Sequence, residues 1–315
     1  MRKNGVVVTP EDFIGTDWLE RMKRLGFNTL GIHSGGSKAH RILERLGETG
    51  TAAFRQPFLD AGIDCEYEIH ASAELMLEYR FQKHPEYFAM NEAGERCKGR
   101  NWCISNPDVA DMITERACKL AKALPSSSHR YYFWGADSSD AHCHCPECRK
   151  HVAAELLLRS VNAFSRGIRK ADPLGQTAYL AYSGTFDIPR GMEPADGVFL
   201  EYAPFHRDYA TALNDAASDK NVPYCKAFQE LMGLFGAGNT LILEYFLDSS
   251  YFSCWRKPAK KPRLYPEILK RDLEFYANSG VAGLTTFAVY MDGEYFRTHG
   301  EEDVVTYADL TRQYF

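Results

Sequence analysis

The stretch SNPDVADMITERACKLAKALPSSSHRYYFWGAD, residues 105–137, decides the fold. Asn106 is placed to cap a helix, Pro107 suits its first position, and Asp108 faces the positive end of the dipole, so a helix is predicted over Pro107–Leu124. The aromatic run Tyr131–Asp137 then reads as a strand. One helix followed by one strand is half of a parallel crossover unit, and the same alternation runs through the rest of the chain.

Short β-branched or aromatic runs mark strands at Gly5–Pro10, Asn28–Ser34, Asp64–His70, Tyr131–Asp137, Thr177–Ser183, Gly197–Pro204, Thr240–Leu247 and Gly283–Tyr290. Helical patterns lie between them at Asp17–Leu25, Ala52–Ala61, Pro107–Leu124, Cys148–Ala171, Tyr209–Ala217 with Pro223–Phe235, and Pro266–Ser279. Eight strands joined by crossovers predict an α/β fold of the (β/α)8 barrel type, because closing the sheet removes its edges. The rival, a doubly wound open sheet, lacks a glycine fingerprint for phosphate after any strand. The expectation is a single domain, residues 1–315, with a long insertion after strand three over Phe81–Ser105 and a link too short for a helix at Gly184–Asp196.

The 315 residues carry 37 Lys+Arg against 42 Asp+Glu, a net charge of −5, so no global basic field favours nucleic acid. No apolar run is long enough for a membrane span, and Val6–Val8 is too short for a signal peptide. The expected compartment is the cytoplasm for the chain as given, or the periplasm or exterior if a leader was removed. Nine cysteines, an odd number with one tight cluster, argue for reduced thiols and not for a disulfide framework. The sequence sets no oligomeric state.

In such a barrel the chemistry sits where strands end. His33 ends strand two, His70 strand three, Asp137 strand four and Tyr182 strand five; Glu201 and Tyr202 lie in strand six, Glu244 and Tyr245 in strand seven, and Tyr290, Asp292 and Glu294 follow strand eight. Cleaving a glycosidic bond needs a protonated carboxyl beside the leaving oxygen and an ionised one near the anomeric carbon. Asp137 and Glu244 are the expected pair, with Asp292, Glu201 and Asp140 as substitutes. Glu244 draws attention because it interrupts the apolar run Leu241–Phe246, where a carboxylate must be paired or used. Trp102, Trp134, Tyr182, Tyr202, Tyr245 and Tyr290 could stack on sugar rings, while His33 and His70 suit hydrogen bonding to hydroxyls.

His142-Cys143-His144-Cys145-Pro146-Glu147-Cys148 holds C-x-C-x-x-C, three thiols that could supply most of a structural zinc site. His142, His144, Asp140 or a distant thiol such as Cys103 could complete it; free thiols bracing the loop are the alternative. A basic run, Arg256, Lys257, Lys260, Lys261 and Arg263, follows strand seven and reads as a solvated loop or as an attractor of acidic sugars. No cofactor is required by this reading.

His84-Pro85-Glu86-Tyr87-Phe88-Ala89, Ser105-Asn106-Pro107-Asp108-Val109, Asp137 ahead of the cysteine cluster, and Ala181-Tyr182 together resemble the large bacterial family called domain of unknown function 4838, part of which is glycoside hydrolase family 163. The resemblance covers roughly residues 81–283 and implies a barrel with retaining endo-β-N-acetylglucosaminidase activity on N-glycans. Many family members carry Trp-Asp-Tyr where this chain has Leu243-Glu244-Tyr245. Two functions follow as expectations: a glycoside hydrolase, or a catalytically inactive barrel that binds carbohydrate.

Overall fold

In the computed structural model, which describes residues 2–34 and 50–315, the strand that the aromatic run predicts is β4, Arg130–Trp134. Its predecessors are β1 (Lys3–Val8), β2 (Thr29–His33) and β3 (Asp64–His70); β5 (Gln176–Ala181), β6 (Val198–Tyr202), β7 (Thr240–Glu244) and β8 (Gly283–Phe287) follow. The eight close into a barrel in chain order. Parallel pairing of β1 with both β2 and β8 makes the closure, through Gly5↔Thr29 on one side and Lys3↔Gly283 on the other. Strand side chains such as Val6, Leu30, Ile69, Phe133, Leu200, Ile242 and Leu284 are buried, as near-continuous apolar strands in a parallel sheet require.

Ten helices accompany them among the described residues: α1 (Trp18–Leu25), α2 (Gly50–Asp60), α3 (Ser72–Leu75), α4 (Pro107–Ala123), α5 (Ala153–Ala171), α6 (Val222–Phe235), α7 (Ser249–Phe252), α8 (Pro266–Asn278), α9 (Gly293–His299) and α10 (Glu302–Thr311). Asn106 caps α4 as expected, its side chain accepting from the Asp108 N–H at 3.1 Å. Packing divides the chain into two compact units: one holds Ala52–Cys65 and Glu201–Phe315 with the amino-terminal stretch up to His33, the other Glu66–Leu200.

Within the second unit α4 and α5 lie close together because Gly167 has no side chain. A Cβ there would stand 2.0 Å from the Thr114 carbonyl oxygen. The contact is completed by Thr114 Oγ1, which donates to the Ala163 carbonyl at 3.0 Å.

The insertion after β3 is built of two 3-10 turns, Glu78–Gln82 and Pro85–Tyr87, and two antiparallel bridges, Phe88↔Trp102 and Met90↔Arg96. Between β5 and β6 only a 3-10 turn, Ser183–Thr185, forms, as the short link implies.

Three expectations shift. Tyr209–Ala217 is a folded loop and not a helix, because the buried Asn221 amide donates to the Asp208, Thr211 and Ala212 carbonyls and holds them in turns. The helix expected from Cys148 starts at Ala153, after a separate 3-10 turn. Two helices, α9 and α10, follow the last strand, beyond the final element the sequence pattern predicts at Gly283–Tyr290.

Candidate functional site

His70, Trp134 and Asp137 come together at the ends of β3 and β4. His70 pairs with Trp134 in register and meets its indole edge to face, with centroids 5.1 Å apart. Its Nδ1 lies 2.9 Å from the Gly135 carbonyl, which only accepts, so Nδ1 carries the proton and Nε2 is the acceptor. Burial holds the imidazole below its ordinary pKa, with the nearby Asp137 charge acting the other way. Trp134 is buried; Asp137 is exposed.

Below this loop sits Asn101. Its Oδ1 accepts the Ala136 N–H at 2.7 Å, and its own N–H donates to the Ala141 carbonyl at 3.0 Å. Gly135 makes that possible: a Cβ on it would stand 2.7 Å from the Asn101 oxygen. The backbone leading into Asp137 is therefore braced by the insertion. Tyr182, half-buried after β5, lines with His70, Asn101, Trp134, Ser139 and His142 a cleft enclosing about 70 Å³. That is well below the roughly 300 Å³ of ordinary ligand pockets.

Trp102 departs from its expected role. It is 4 % exposed, its indole N–H donates to Ser160 Oγ at 2.9 Å, and its ring meets Phe164 edge to face. It plugs the insertion onto α5 and, like Trp134, lines the cleft only as an almost fully buried side chain.

Glu244 is corrected more sharply. The carboxylate at the end of β7 has no exposure: Tyr276 donates to its Oε1 at 2.6 Å, and Arg207 Nε lies 3.3 Å from the same oxygen. Arg207 also holds Asp272 of α8 at 2.5 Å, while Asp272 accepts the Leu213 N–H at 2.7 Å. Burial pushes the Glu244 carboxyl up, and the guanidinium opposes the shift. A carboxylate enclosed in this way ties β7, α8 and the loop after β6 together and presents no exposed oxygen.

Three further expected contacts are also buried. Tyr202 has no exposure and donates to the Tyr224 carbonyl at 2.7 Å; Glu201 is 2 % exposed; Tyr245 stacks on Phe287 at 5.1 Å. His33 is half-buried and meets Phe287 edge to face. Asp292 caps α9 through the Tyr295 N–H and pairs with Lys257 at 2.6 Å, contacts that hold its carboxyl low against burial. Lys257 in turn stands 4.7 Å over the half-buried Tyr290 ring, so part of the basic run is tied to the strand-eight loop.

Two features lie outside the sequence expectations. Trp255 is 61 % exposed, beside Phe205 and Tyr251. Asp12, almost fully buried after β1, accepts from Thr9 and from the Tyr290 N–H, and burial pushes its carboxyl up to about 7.

Two groups of metal-ligating side chains stand out among the described residues. Cys103, from the insertion, joins Cys143, Cys145 and Cys148, all four buried, and their sulfurs lie within 4.8 Å of one another. Asp140, His142 and His144 form a second, half-buried group, with His144 Nε2 2.6 Å from Asp140 and Arg100 on the same carboxylate.

The model of the family described as domain of unknown function (DUF4838) matches residues 49–308, and the chain belongs to that family. No curated protein matches it. Among solved structures it is similar to a chitinase from Rhizomucor miehei, with a TM-score of 0.53, 10 % identity, and 98 % of this chain and 100 % of that one covered. It is also similar to a glycoside hydrolase family 5 protein from Bacteroides vulgatus, with a TM-score of 0.51, 12 % identity, and coverage of 99 % and 67 %. At such identities the likeness establishes the barrel fold. No helix among the described residues is long and apolar enough to cross a membrane.

Proposed function

We propose that this protein binds a glycan at the strand ends of its barrel and hydrolyses a glycosidic bond there, with Asp137 as the reacting carboxyl. The observation that carries this reading is Asp137 itself, an exposed carboxylate in the loop that leaves β4, on backbone braced by Asn101 and beside an imidazole of fixed tautomer. Polar groups at strand ends are where barrels of this kind place their chemistry.

The substrate class that the family resemblance adds is an N-acetylglucosaminide within an N-glycan. Such a sugar changes what the protein must supply. In substrate-assisted hydrolysis the acetamido oxygen attacks the anomeric carbon and one protein carboxyl protonates the leaving oxygen. Asp137 fills that role as acid, then as base toward the incoming water, so the enclosure of Glu244 does not remove a needed nucleophile.

A second reading, a barrel that binds glycan without cleaving it, gains from the same enclosure of Glu244. Released N-glycans and aryl N-acetylglucosaminides, incubated with the protein and with Asp137→Asn and read by mass spectrometry, separate the two. Cleavage that disappears in the variant supports hydrolysis by Asp137. Saturable binding without cleavage gives the second reading, and equal cleavage by both proteins removes Asp137 from the chemistry.

A further inference from the structure

We infer that Cys103, Cys143, Cys145 and Cys148 form a tetrathiolate site for a structural zinc ion, with Cys103 as the fourth ligand. The sequence offers three of these thiols within six residues; the structure brings the fourth from the insertion after β3. Four thiolates at zinc–sulfur distances of about 2.3 Å in a tetrahedron stand about 3.8 Å from one another. Cys103 Sγ lies 3.6 Å from Cys145 Sγ and 3.9 Å from Cys148 Sγ, and all four sulfurs fall within 4.8 Å. A disulfide would bring two sulfurs to about 2.05 Å, and all four cysteines are free.

The surroundings suit a metal thiolate. A divalent ion against four thiolates leaves a net dianion, which in a buried place needs donors and a counter-charge. The Met90 N–H points at Cys143 Sγ at 3.3 Å, the Arg96 guanidinium reaches the same sulfur at 3.5 Å, and the Ser105 hydroxyl sits 3.2 Å from Cys148 Sγ. Arg96 is anchored on its other side by the Phe88 carbonyl at 2.7 Å. Binding moves no electrons: the ion replaces the thiol protons, which pass to water.

The neighbouring Asp140, His142 and His144 supply no ligand to this site. His144 Nε2 is committed to Asp140, and the four thiols already supply the four ligands a structural zinc takes. The ion joins the insertion to the loop after β4 and to the turn before α5. Asn101, two residues before Cys103, is thereby held under Ala136. This consequence does not depend on what the barrel binds.

The test uses the full chain expressed with zinc in the medium and purified without chelator. Metal analysis should give one zinc per chain, released when a mercurial blocks the thiols. Reconstitution with cobalt should give the intense ligand-field and sulfur charge-transfer bands of a tetrahedral tetrathiolate. Cys103→Ser should lose stoichiometric zinc and alter the cobalt spectrum, whereas Cys118→Ser and His144→Ala should keep both. Should Cys103→Ser fail to fold, the stoichiometry and cobalt spectrum of the unaltered protein still decide. Absence of zinc from zinc-replete protein, a cobalt spectrum with nitrogen or oxygen ligands, or a disulfide among these cysteines in unalkylated peptides would each overturn the inference. Full zinc content in a folded Cys103→Ser protein would remove Cys103 from the ligand set.

Discussion

The Arg207 guanidinium stands 3.3 Å from the Glu244 carboxylate with neither side chain exposed, and the same guanidinium reaches Asp272 at 2.5 Å. One buried cation is thus shared between two buried carboxylates, and its guanidinium carbon stands 4.4 Å from the Tyr209 ring centre and 5.3 Å from that of Phe246. An arrangement of this kind is sensitive to loss of its centre. Arg207→Met keeps much of the volume but leaves two carboxylates in an apolar interior, and breaking a buried pair in this way costs about 3–5 kcal/mol. Urea unfolding at neutral pH should show that loss, and the loss should shrink at acid pH as the stranded carboxyls take up protons. A change below about 0.5 kcal/mol would mean that the charges are not paired in the folded protein.

Asp12 makes a prediction about pH. Its folded carboxyl is pushed up to about 7 from an ordinary 3.8, chiefly by burial and against the hydrogen bonds from Thr9 and Tyr290. Between those two values the folded state binds the extra proton, so this group's contribution to stability falls as pH rises from about 4 to about 7 and is level above. Asp12→Asn removes the titration. Subtracting its unfolding free energy from that of the unaltered protein at each pH should leave a slope of this sign, amounting to roughly a few kcal/mol across the window. A flat difference would show Asp12 ionised throughout.

How much of this was legible depended on distance along the chain. The eight strands could be read because each is a local apolar run between helical patterns, and Asn106-Pro107-Asp108 fixed a helix start from three adjacent residues. Tyr209–Ala217 misled because its apolar spacing is helical while its conformation is dictated from outside, by Asn221. The same limit governed the site. The interruption of an apolar strand by Glu244 correctly demanded a partner or a use, but Arg207 lies 37 residues away and carries no signature of pairing. The three clustered cysteines were evident, and the fourth was one of several open choices until the insertion folded back.

Trp102 illustrates why an aromatic near the site needs its partners known. With the ring buried against Phe164 and its N–H on Ser160, Trp102→Ala removes a large core side chain and should cost about 3–5 kcal/mol of stability. Ligand affinity per folded molecule should stay unchanged. Thermal melting together with glycan titration checks both, and a weakened affinity at unchanged melting temperature would return Trp102 to the binding face.

Trp255 carries the opposite expectation. Its indole is 61 % exposed, yet its backbone is held: the Trp255 N–H donates to the Ser250 carbonyl at 2.8 Å, and its own carbonyl accepts from the Tyr290 hydroxyl at 3.2 Å. Cys254 and Trp255 both adopt left-handed backbone, with φ of +53° and +55°, a conformation that costs free energy for non-glycine residues and is kept where surrounding contacts enforce it. A rigidly mounted, solvent-facing indole next to Phe205 and Tyr251 has the form of a stacking platform for the apolar face of a sugar ring. If the glycan reading holds, Trp255→Ala should raise Kd for the bound glycan roughly fivefold, about 1 kcal/mol, while Trp255→Phe recovers part of the loss. The melting temperature should move little, because few buried contacts are lost. Calorimetric titration of both variants provides the check: unchanged affinity in Trp255→Ala would leave this indole without a part in glycan binding.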